Sequence, residues 1–118
     1  MNSIKRLGIL DRGETAVRIL NAVGELNQAA RLMPSIATVL VHRDADARPW
    51  YAREADDVLQ LPGGDAAVTD ADLLACLQRS QVDTLWLGVW TPAGRADLIA
   101  ACAAAGIGVV GPDFAAVR

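Results

Sequence analysis

A chain of 118 residues, 53% of them hydrophobic, carries enough apolar material for one core and too much for a disordered segment. Its formal net charge of −3 excludes a general attraction to nucleic acid or to an anionic membrane. No apolar run is long enough to span a bilayer, no signal-peptide pattern is present, and Cys76 and Cys102 lack metal or redox spacing, which reads as reduced thiols in a cytoplasmic protein.

The first stretch, Leu7 to Leu20, reads as a buried strand, a tight turn and the start of an amphipathic helix. Asp11 and Glu14 have the spacing of a capping box, and Gly13 suits the tight turn. Ala16, Ile19, Leu20, Val23 and Leu26 then recur at helical spacing and predict the face that packs on the sheet. Asn27 to Ser35 reads as a connection broken by Pro34, followed by a β-branched strand over Ile36–Val41. Pro49 suits the first turn of a short helix through about Glu54. A weaker strand over Asp57–Leu61 closes at Pro62-Gly63-Gly64. Thr69 or Asp70 caps a helix bearing Leu73, Leu74 and Leu77. Thr84–Leu87 is a fourth strand, an alanine-rich helix runs from about Arg95 to Ala105, and Ile107–Val110 is a fifth strand ending at Gly111-Pro112.

Alternating strand and helix predict an α/β, Rossmann-like three-layer fold: five mainly parallel strands with helices on both faces, forming one domain over 1–118. Ligands of such sheets sit at the carboxyl ends of the strands, where the strand order reverses. The turns at Asp11-Arg12-Gly13, His42-Arg43-Asp44, Gly88-Val89-Trp90 and Gly111-Pro112 gather there.

The chemistry legible in these turns is sparse. A dinucleotide fingerprint needs three glycines, and the first turn offers Gly13 alone. Asp44 follows about thirty residues on, where about twenty is usual for the ribose carboxylate. A phosphate loop is absent, and His42 is the only histidine, so no His-based metal cluster is available. The acid pairs Asp44/Asp46 and Asp56/Asp57 read as solvated charge. Trp50, Trp86 and Trp90 read as core or interface rather than a cofactor stack.

The word Asp11-Arg12-Gly13-Glu14-Thr15-Ala16-Val17-Arg18-Ile19 resembles the Asn-Arg-Gly-Glu-x-Ala-x-Arg-Ile that opens the N-terminal domain of biotin carboxylases, with Asp11 in place of asparagine. Further words follow in the family's order: Asp44-Ala45-Asp46, Arg53-Glu54-Ala55-Asp56-Asp57, and the closing helix and strand from Ala100 into Val110-Gly111-Pro112. The departure is in the loop after the fourth strand. There the family has His-Pro-Gly-Tyr-Gly-Phe-Leu-Ser-Glu-Asn, and of the segment Trp86–Arg95 only Gly88 is retained.

The resemblance implies the domain that precedes an ATP-grasp body, forming one wall of the cleft in which biotin is carboxylated with ATP, magnesium and bicarbonate. None of these is expected to bind this segment, which is expected to catalyse nothing alone. The resemblance places Arg12, Gly13 and Gly88 on the substrate side and Arg18, Asn21 and Glu25 in a dimer contact of a homo-oligomer. The implied partners are the ATP-grasp body and the biotin carrier domain. The stretch Asn27–Ser35 and the tryptophan-bearing loop are similar to those of long single-chain acyl-CoA carboxylases. The alternative is a degenerate, non-catalytic interaction domain of the same fold. An apolar patch around Trp90, Pro92 and Phe114 is expected where the domain meets the body, and is expected to drive self-association of the isolated chain.

Overall fold

The computed structural model describes residues 4–11, 13–30, 35–42, 50–61, 69–88 and 96–110. Five strands, β1 (Arg6–Leu10), β2 (Ala37–His42), β3 (Asp57–Gln60), β4 (Thr84–Leu87) and β5 (Gly108–Val110), form one sheet in the order β3-β2-β1-β4-β5. Every pairing is parallel. The helices are α1 (Gly13–Ala30), α2 (Asp70–Arg79) and α3 (Ala96–Ala104), with a 3-10 helix over Trp50–Glu54 between β2 and β3.

Side-chain alternation along the strands sorts the core into two layers. Leu7 and Ile9 of β1 and Leu40 of β2 pack with Ala16, Leu20 and Val23 of α1 and with Tyr51 and Ala52 of the 3-10 helix. Leu10, Val39, Val41, Leu85 and Leu87 turn to the other face, against Leu73, Cys76 and Leu77 of α2 and Leu98 and Cys102 of α3. The central strands are buried on both faces, which is why they read as continuous apolar runs.

Three local expectations are corrected. Helix α1 continues to Ala30, through the first residues of the predicted connection. Asn27 sustains this by pairing with Ile36, its Nδ2 donating to the Ile36 carbonyl at 3.0 Å and its Oδ1 accepting from the Ile36 amide at 2.8 Å. Leu26 is 49% exposed, because the buried stripe of α1 is Ala16, Leu20 and Val23 and Leu26 lies off it. Because α1 begins at Gly13, Asp11 stands outside the cap position, and its carboxylate is engaged with Trp86 instead of closing a capping box with Glu14. The cap of α2 is Thr69, whose Oγ1 accepts from the Asp72 amide at 3.0 Å.

The amino end of the sheet is stitched by charge. The Asp83 carboxylate accepts from the amides of Lys5 and Arg6 at 2.9 and 2.8 Å. Arg6 donates onward to the Ser80 carbonyl at 2.6 Å and to Asp57 Oδ2 at 2.8 Å. Asp56 Oδ2 accepts from the Thr38 amide at 2.8 Å. The Asp56/Asp57 pair, read from sequence as solvated charge, therefore ties the start of β3 to β2 through Thr38 and to β1 through Arg6 while remaining exposed.

Candidate functional site at the carboxyl ends of β1 and β4

Strand order runs outward from β1 in one direction and from β4 in the other, so the switch point lies between their carboxyl ends. Asp11 follows β1 directly and continues the alternation of Leu7 and Ile9, which turns it to the α1 face. It is 4% exposed. Trp86 has the equivalent parity on β4, and its indole Nε1 donates to Asp11 Oδ2 at 3.0 Å.

Gly88 lies just beyond β4, its amide donating to the Leu10 carbonyl at 3.2 Å. A Cβ at this position would overlap the Asp11 carboxylate and lie 2.8 Å from Trp86 Nε1, so close approach alone requires glycine here. Gly13 opens α1 with φ +65°, and its amide donates to the Tyr51 hydroxyl at 3.0 Å. Tyr51 is buried, and the exposed Trp50 meets its ring edge-on, with centroids 5.6 Å apart.

Of the substrate-side residues expected from sequence, Gly13 stands at the start of α1 against Tyr51, Gly88 stands just beyond β4 against Asp11 and Trp86, and Arg12 lies outside the described residues. Asp11, Trp86 and Tyr51 were not legible as parts of one constellation. The available signal was an acid placed directly after an apolar strand, with a tryptophan of matching parity 75 positions on.

Arg18, Asn21 and Glu25 are exposed at helical spacing along α1. Asn21 and Glu25 border a shallow groove of about 620 Å³, together with Gly24, Asn27, Gln28 and Glu54. Trp90, Pro92 and Phe114 lie outside the described residues. A second cavity, of about 450 Å³, opens by the β3 edge between His42, Arg53, Asp57 and Gln60. The His42 Nδ1 atom is buried without a hydrogen-bond partner.

Among the described residues no group of three His, Cys, Asp or Glu side chains is placed to hold a metal ion. The Gly13 amide, a donor that a phosphate would use, is taken by Tyr51, and a carboxylate stands beside it in the chain. These residues do not fit a nucleotide phosphate, so no step of ATP chemistry is assigned to them.

Residues 3–117 match the family described as biotin carboxylase, N-terminal domain. The chain is 29% identical to human mitochondrial pyruvate carboxylase over 119 aligned positions, covering 98% of this chain and 9% of that protein. To a biotin carboxylase of Halalkalibacterium halodurans it is 28% identical, covering 92% of this chain and 23% of the relative. Among solved structures, the biotin carboxylase domain of a single-chain bacterial carboxylase superposes with TM-score 0.74 at 34% identity, over 96% of this chain and 25% of that one. The chain thus spans a quarter or less of each of these relatives. With the match extending from the first strand past the last, the chain belongs to the family of biotin carboxylase N-terminal domains.

Proposed function

We propose that this chain forms the N-terminal wall of the active-site cleft of an ATP-dependent biotin carboxylase and is not catalytic alone. The observation that carries the reading is the close approach of Gly88 to Asp11 at the switch point of a family-matched fold. ATP, magnesium, bicarbonate and biotin then belong to the complete enzyme, with an ATP-grasp body and a biotin carrier domain as partners, in the cytoplasm. Arg12, which lies outside the described residues, belongs to the substrate side in this reading. Arg18, Asn21 and Glu25 form a two-fold contact between copies. The relatives include pyruvate carboxylases, and the solved neighbours include a single-chain long-chain acyl-CoA carboxylase at 29% identity, which supports the carboxylase class and leaves the acceptor open between these.

A second reading, a degenerate interaction domain, is favoured by one observation: the Asp11 carboxylate at the switch point is bonded to the chain's own Trp86. The reading frame beyond codon 118 separates the two. An ATP-grasp glycine loop, a biotinyl Met-Lys-Met motif and biotin-dependent ATP cleavage by the full product are expected. A frame encoding neither motif, or a full product without that cleavage, favours the interaction domain.

A further inference from the structure

Two contacts converge on the Asp11 carboxylate at the switch point, and a third holds the backbone beside it. Trp86 Nε1 reaches Asp11 from β4, Gly88 lies so close that a methyl group cannot be accommodated, and the Gly88 amide is bonded to Leu10, the residue before Asp11. On the other side of Asp11 the chain enters α1 through Gly13, which Tyr51 holds from the 3-10 helix. The exits of β1 and β4 are thus joined by a part-buried side-chain bond in addition to the backbone ladder.

We propose that Asp11 is a positioning residue that ties the two walls of the crevice, fixing the exit of β4 at Gly88 relative to the turn that opens α1. The tie needs an acceptor at residue 11, an N–H donor at residue 86 and no side chain at residue 88. Each is present in this chain, and Asp11 stands where the resemblance expects asparagine. An amide oxygen can accept the same bond, so an asparagine at residue 11 can keep the tie.

The proposal rests on the carboxylase reading only for what the crevice faces. The tie itself is measured on this chain, so failure of one and failure of the other are separate results. In NMR spectra of the chain, the Trp86 indole N–H, identified by its loss in Trp86→Phe, should exchange more slowly than that of the exposed Trp50. Asp11→Ala should speed Trp86 exchange by about tenfold, the equivalent of one hydrogen bond, and Asp11→Asn should restore it. Gly88→Ala, which removes no polar group, should speed it too. In Asp11→Ala the amides of Gly13 and Gly88 should shift together, while those of Lys5 and Arg6, held by Asp83 at the opposite end, should not.

Unchanged Trp86 exchange in Asp11→Ala would overturn the proposal. So would amide shifts spread equally over both ends of the sheet, since a merely loosened fold gives that pattern. Should Asp11→Ala fail to fold, Trp86→Phe removes only the donor and must shift the Gly88 amide for the proposal to stand.

Discussion

Asn27 shows how one side chain sets a boundary. It gives Ile36 both a donor and an acceptor, standing in for a strand partner just ahead of β2. Asn27→Ala leaves both Ile36 groups without these bonds and should cost about 1–3 kcal/mol, read as a lowered urea midpoint at constant slope. Cys102 supplies a pH dependence. Burial, and secondarily the charge of Asp70, push its thiol above its ordinary value. The folded chain then keeps a proton that the unfolded chain has released, so stability is whole below the ordinary thiol range and falls as pH rises through and above it. Urea midpoints at rising alkaline pH should show this decline, and Cys102→Ala should flatten it.

Among the helices, α1 separates what periodicity reveals from what it hides. Ala16, Leu20 and Val23 were legible as core, but Leu26 fits the same sequence pattern and is 49% exposed. Leu26→Lys should therefore change stability by no more than about 0.5 kcal/mol. Leu77→Ala, at a fully buried position on α2, should cost about 2–5 kcal/mol. The same urea titration tests both. The strands and their order of appearance were legible because a doubly covered parallel sheet makes each strand an apolar run. The crevice was only half legible. Gly13 and Gly88 stand out as glycines near strand ends, whereas the Asp11–Trp86 bond depends on register between β1 and β4, which no local pattern encodes.

Among the described residues, the amino end of the sheet is polar and heavily bonded, and at the carboxyl end the Gly13 and Gly88 amides and the Trp86 indole are engaged within the chain. The isolated chain should accordingly bind neither NAD, FAD nor ATP at micromolar dissociation constants, about −8 kcal/mol, and calorimetric titration checks this. The exposed α1 face carries Arg18 and Glu25, which a two-fold axis can oppose in both directions. Exposed ion pairs contribute only about 0–1 kcal/mol each. If this face mediates self-association, sedimentation at increasing concentration should show a weak dimer that Arg18→Glu dissociates. Dimerisation that survives Arg18→Glu but is lost in Trp90→Asp would point to the apolar patch instead.

The central place of β1 has a consequence during synthesis. Its second neighbour, β4, is encoded late: Asp11 and Trp86 are 75 positions apart. At about 5–20 residues per second, the ribosome needs about 4–15 s to make the intervening chain. Until β4 is made β1 can pair with β2 at most, and its other edge offers an open row of amides and carbonyls beside Ile9 and Leu10. A nascent chain stalled before Thr84 should therefore be sensitive to protease and prone to associate through that edge, and release of β4 should end both.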